Sequence, residues 1–146
     1  SHVFICRRIL PQFKKQCTGH LVITSSAAGL LTHIDSLTYS VTKQASIAFA
    51  EWIAISNKEY GVDVSVLCPQ AVKTNMTKGR ENDVAAIDGI LDPDEVAIEV
   101  LSSIKEKKFL ILPHKQVHNY MKYKTENYDR WISGMQKLKQ KMRQSK

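Results

Sequence analysis

The apolar positions of this chain change period repeatedly, and each change marks an element. In residues 1–15, Val3, Phe4, Ile5, Ile9, Leu10 and Phe13 suit one face of a helix, expected to end near Gly19. Residues 20–24, His-Leu-Val-Ile-Thr, are a short apolar run ahead of the small residues at 25–29, which predicts a buried strand opening into a loop. Residues 36–60 carry Ala, Ile and Trp at helical spacing and stop at Gly61, the signature of a long helix. Residues 62–68 are rich in β-branched side chains and end at Pro69, so a second buried strand is expected. The polar stretch 73–91, with Gly79 and Gly89, predicts an irregular loop or mobile lid. Asp92-Pro93-Asp94-Glu95 combines an N-cap, a first-turn proline and a capping-box glutamate, starting a helix that runs to about Lys107. Residues 109–112, Phe-Leu-Ile-Leu, predict a third strand closed by Pro113. Beyond His114, the residues Val117, Met121, Lys124, Tyr128, Trp131, Met135, Leu138 and Met142 step alternately by four and three, which predicts one amphipathic C-terminal helix.

Helix alternating with strand three times over is the pattern of an α/β protein with a parallel sheet, its crossover helices covering both faces. The expected division is an α/β portion over 1–113 and a basic amphipathic helical extension over 114–146. A length of 146 residues suits one domain, and 43% hydrophobic residues exclude a disordered chain. No apolar run approaches the roughly 20 residues of a bilayer span, so a soluble protein without a membrane helix is expected.

Net charge modifies this picture at one end only. Residues 1–104 hold 9 basic and 11 acidic side chains, whereas 105–146 hold 12 and 3, so the whole excess of +7 resides in the tail. The tail's Tyr128 and Trp131 fall on the apolar stripe, where packing is their expected role, and nucleic acid is not an expected partner. Cys6, Cys17 and Cys68 are odd in number and lack C-x-x-C spacing, which argues against disulfides or a zinc site and for a reducing, cytoplasmic location. His114 and His118 lie four apart without a third ligand, so solvent-exposed histidines are expected and no metal. No secretory signal is visible, and position 1 is Ser, so the true start is expected upstream. The terminal Gln144-Ser145-Lys146 stops one residue short of a peroxisomal Ser-Lys-Leu, leaving that compartment open.

Tyr39 and Lys43, four apart in the long helix, emerge on one face. An ammonium held near a phenol favours its ionised form, which makes such a pair a candidate acid/base. Tyr120 and Lys124 repeat the spacing, so context must separate the two pairs. Only Tyr39 follows a strand ending in Thr24-Ser25-Ser26-Ala27-Ala28-Gly29, with Ser26 thirteen residues ahead of it. A serine at the carboxyl end of a parallel strand meets the ligand crevice, while Ser25 suits a structural role.

With a strand leading into Ser-Ser-x-Ala-Gly, the motif Tyr39-Ser40-Val41-Thr42-Lys43, and a later strand leading into Pro69-Gln70-Ala71-Val72-Lys73-Thr74, the chain resembles the short-chain dehydrogenase/reductase family over residues 1–113. The resemblance implies the C-terminal half of a doubly wound, Rossmann-like sheet. It implies Tyr39 as acid/base, Lys43 as its activator and a ligand of the nicotinamide ribose, and Ser26 as the group orienting the substrate oxygen. It also implies cofactor contacts from Pro69, from the Val72 backbone to the nicotinamide carboxamide and from Thr74 to the pyrophosphate. The cofactor would be NAD or NADP, the partner a small-molecule substrate with an alcohol or carbonyl group, and the assembly a homo-oligomer through the first two long helices.

Two features depart from the family pattern. Gln70 stands where the family usually has Gly, which is sterically tolerable if its φ stays negative. No G-x-x-x-G-x-G turn occurs among the six glycines, so the dinucleotide phosphate site is missing and the chain alone is expected to lack turnover. The competing expectation is a noncatalytic interaction module that pairs through an unpaired sheet edge and apolar helices with a full-length homologue or another partner.

Overall fold

The structure, a computed structural model, describes residues 2–80 and 82–144. Ser1, Glu81 within the expected 73–91 loop, and the terminal Ser145-Lys146 lie outside the described residues. The elements run α1 (His2–Gln16), β1 (Gly19–Thr24), α2 (Ala27–Leu31), α3 (Leu37–Asn57), β2 (Val62–Leu67), α4 (Pro93–Lys105), β3 (Leu110–Ile111), α5 (Gln116–Glu126) and α6 (Tyr128–Gln144). The sheet is parallel, in the order β1-β2-β3, with Gly19 opposite Val62, Thr24 opposite Leu67, and Leu67 opposite Ile111.

Alternation along β2 divides the core. Val62, Val64 and Val66 pack with Ile23 of β1 and with Cys6 of α1 and Ile47, Ala50 and Ile53 of α3. Leu67 points the other way, joining Val96 of α4 and Ile111 of β3. Both sheet faces are therefore covered, as is usual for a parallel sheet, and even Ser65 on the second face of β2 is fully buried. A 3-10 turn closes α3, and Gly61 follows at φ 71, a left-handed backbone that glycine adopts without strain. Asp92 and Glu95 form the expected reciprocal capping box of α4. Among the described residues, no helix is long and apolar enough to cross a membrane, and no strand pairs with the outer edge of β1.

Several expectations need correction. The small residues after β1 form a helix, α2, rather than a loop alone. The third strand shrinks from 109–112 to the pair Leu110–Ile111. The C-terminal helix is two helices, broken where Asn127 turns extended at φ -157 and ψ 100. Asn127 also caps α6, its side-chain oxygen accepting from the Arg130 backbone N–H at 2.9 Å. Trp131 packs with Val117, Ala27 and Leu31, so the extension lies against α2, while Tyr128 is exposed rather than on the packed stripe. In α1, Val3, Phe4 and Ile5 face outward, and only Cys6 is buried. His118 is exposed as expected, but His114 is 3% exposed.

Candidate active site

The carboxyl ends of β1 and β2 are stitched together beyond the sheet. The Ser25 N–H donates to the Leu67 carbonyl at 2.8 Å and the Ala27 N–H to the Pro69 carbonyl at 2.9 Å. Ser26 thereby stands between the strands as the N-cap of α2. Its hydroxyl accepts from the Ala28 N–H at 3.1 Å and donates to the Pro69 carbonyl at 3.4 Å. Ser25 is buried behind it, donating to the Lys43 carbonyl at 2.8 Å and accepting from Ser46 Oγ at 2.9 Å. Ser46 also reaches the Lys43 carbonyl, so two buried hydroxyls hold this turn of α3 against the strand end. Ser25 thus has the structural role expected of it, whereas Ser46 is legible in the sequence only as a small residue one turn beyond Lys43.

Gly29 completes this contact. A Cβ there would lie 2.8 Å from the carbonyl carbon and oxygen of Lys43 and from Ile47 Cδ1, so only glycine lets α2 press on α3 at this point. The consequence is a fixed height for Tyr39 and Lys43 relative to Ser26. The Lys43 ammonium lies 5.5 Å from the Tyr39 ring centroid and donates to the Thr24 carbonyl at 3.3 Å.

Ser26 and Tyr39 open into one cavity of about 910 Å³, floored by Gln70 and Ala71 and roofed by α5 and α6. Lys43, Pro69, Val72 and Thr74 do not line it. Lys43 stands behind Tyr39, and Pro69 touches Ser26 through its carbonyl. The Val72 carbonyl accepts from Thr77 Oγ1 at 2.6 Å, and the Thr74 N–H donates to the same hydroxyl at 3.1 Å. Segment 73–91 leaves and returns at one place, since Val72 bridges to Leu91.

Gln70 has no positive φ, so its departure from glycine leaves the backbone unstrained. Its Nε2 donates to Asp88 at 2.9 Å, and Asp88 also accepts from the Tyr120 hydroxyl at 2.9 Å, which ties the floor to the roof. The Gln70 backbone N–H donates to His114 Nδ1 at 3.2 Å, placing the ring proton on Nε2. Burial holds the His114 pKa below the usual histidine value. The second Tyr-x-x-x-Lys pair diverges. Burial and Asp88 push the Tyr120 phenol up, and Lys124 donates to the Leu30 carbonyl at 2.6 Å with its pKa lowered by burial. It is a packing pair that seats α5 on α2. His33 and Asp83, 3.0 Å apart, were also missed, because they lie fifty residues apart in sequence. Cys68 is buried beside the site, where desolvation pushes its thiol up to about 11, so it acts as a protonated apolar group.

A covered parallel sheet with a cavity at its strands' carboxyl ends defines the doubly wound α/β class. Residues 1–85 match the family described as short chain dehydrogenase, and the chain belongs to that family. It is 30% identical over 117 residues to epidermal retinol dehydrogenase 2 of Mus musculus, covering 77% of this chain and 38% of that protein. Against dehydrogenase/reductase SDR family member 7B of Xenopus laevis it is 29% identical over 114 residues, covering 73% and 35%. The fold superposes on a short chain dehydrogenase/reductase from Burkholderia phymatum in complex with NAD at a TM-score of 0.69 and 23% identity, covering 85% of this chain and 53% of that one. The chain thus spans well under half the length of the curated relatives it matches.

Proposed function

We propose that this chain is the catalytic portion of an NAD(P)-dependent oxidoreductase acting on an alcohol or carbonyl group. The observation that carries this reading is the convergence of Ser26 and Tyr39 in one cavity, with Lys43 behind Tyr39. Ser26, rigid as an N-cap, orients the substrate oxygen, and Tyr39 gives or takes its proton. Lys43 uses one of its three donors on Thr24, so its ammonium retains donors for ribose hydroxyls and a positive charge beside the phenol. The donor set therefore suits the nicotinamide-ribose end of the cofactor, which supplies or accepts the hydride. Pro69 and the backbone of Val72 and Thr74 are the proposed contacts to the rest of that end. The similar Burkholderia phymatum protein forms a complex with NAD and a similar Sphingobium yanoikuyae short-chain dehydrogenase one with NADPH, which supports either nucleotide here.

No glycine-rich phosphate turn occurs in the sequence, so the chain by itself is expected to give no turnover. The test is NAD(P)H oxidation with ketone substrates, by the chain as it stands and by a chimaera carrying it behind the nucleotide-binding half of a family member. Turnover in the chimaera that Tyr39→Phe abolishes supports the reading; turnover that survives Tyr39→Phe sinks it.

A homo-oligomer through α3 is the proposed assembly, because Leu37, Val41, Trp52 and Ile55 form an exposed apolar stripe along that helix. The same stripe, with the open edge of β1, favours a second reading as a noncatalytic module docked on a homologue. Binding of the isolated chain to such a homologue, without any rate from the chimaera, would favour it. A reducing intracellular compartment suits the three unbridged cysteines.

A further inference from the structure

Glycine in the interior of a helix loses more backbone freedom on folding than any other residue and offers no side chain to pack. α6 nevertheless carries Gly134 in its interior. The usual reasons for such a glycine do not hold here. Its φ is not positive, and a Cβ built on it would meet no heavy atom within 4 Å. Gly134 is exposed, and what it borders is the open side of the cavity. It lines the wall with Trp131, Met135 and Leu138, its neighbours on the same face of α6.

We propose that Gly134 sizes the cavity, and that the substrate is an alcohol or ketone whose bulky, multi-ring apolar body occupies the space a side chain at 134 would fill. For the reacting group this rests on the oxidoreductase reading above; for the apolar body it rests on the wall alone. The volume of about 910 Å³ lies near the top of the range for small-molecule sites, roughly 300–1,000 Å³. The wall away from Ser26 and Tyr39 is largely apolar, including Leu31, Met76, Ile87 and Leu138. Of the polar groups that reach it, His33 is held by Asp83 and Tyr120 by Asp88, while Arg80 and Asn119 also line it. Met76 and Ile87 line the cavity and yet are 72% and 59% exposed, so they mark the rim through which an apolar ligand enters. A ligand of a few carbons would leave most of this surface wet, whereas one that fills it removes the wall from water.

Trp131 in the wall supplies the probe. Pyrenemethanol absorbs where tryptophan emits, so its entry is read as energy transfer from Trp131, in the full 146-residue chain with the exposed Trp52 changed to Phe and no nucleotide present. Binding about tenfold tighter than that of benzyl alcohol is expected. Gly134→Leu is expected to lose about tenfold in pyrenemethanol affinity while binding benzyl alcohol as before. Gly134→Ala, which helix propensity favours, is expected to weaken pyrenemethanol about twofold to threefold while raising Tm; it keeps the test decisive if leucine disrupts the helix. Unchanged pyrenemethanol affinity in Gly134→Ala and in any folded Gly134→Leu, or no preference over benzyl alcohol in the parent chain, overturns the proposal. Failure of hydride transfer in the chimaera, with this binding pattern intact, would count against the oxidoreductase reading alone.

Discussion

Tyr39 and Lys43 owe their mutual position to the helix period, but their position relative to Ser26 depends on Gly29. The close approach of α2 to α3 leaves no room for a methyl group there. Gly29→Ala is therefore expected to destabilise the fold by about 1–3 kcal/mol, read from the denaturant midpoint. The same shift should move Tyr39 away from Ser26 and lower turnover in the chimaera. His114 makes a different prediction. Its folded pKa lies below the unfolded value near 6.5, so its contribution to stability is complete above that value and is lost as pH falls toward the folded pKa. His20, also held down by burial, adds to the same limb, and Asp83, held low by its partners, acts at more acid pH. Tm should drop between about pH 7 and pH 5, and His114→Gln should remove part of that drop. A Tm profile that is flat in this window, or identical in the variant, would contradict the assignment.

Among elements, the capping box of α4 was fully legible, because four consecutive residues carry the signal and their partners are local. The break between α5 and α6 was not. Alternating steps of four and three run straight through Asn127, so periodicity alone joins the two helices. The break follows from packing: Val117 of α5 and Trp131 of α6 both reach the same cluster with Ala27 and Leu31, which a straight helix would not allow. Asn127→Ala removes the cap of α6 and is expected to cost about 1 kcal/mol. Pyrenemethanol affinity should fall with it, since α6 roofs the cavity; thermal melts and the Trp131 signal test both effects.

Over the whole molecule, no strand pairs with the outer edge of β1 among the described residues, and α3 presents an apolar stripe. Sedimentation velocity should find a defined oligomer, and Trp52→Glu together with Ile55→Glu should shift it toward monomer. A monomeric parent chain would refute the α3 interface, and a continuous spread of sizes would point to pairing through the β1 edge instead. The basic tail takes a local role in this arrangement: Lys124 binds the end of α2, and Lys139 donates to the Ile34 carbonyl at 2.7 Å.

The sequence alone determined the alternation of three strands with their crossover helices and the parallel α/β class, and it nominated Ser26, Tyr39 and Lys43 as the proposed site. Each rests on short-range signals: period, capping and turn chemistry, and motif spacing within one or two elements. Tertiary structure decided that α2 is a helix lying on α3, that His114 is buried, that Asp88 joins Gln70 to Tyr120, and that Gly134 faces a cavity. Those facts depend on contacts between residues far apart in the chain, where no local period records the partner. Burial and close approach become definite only when α2, the loop after β2 and the two C-terminal helices are packed against one another.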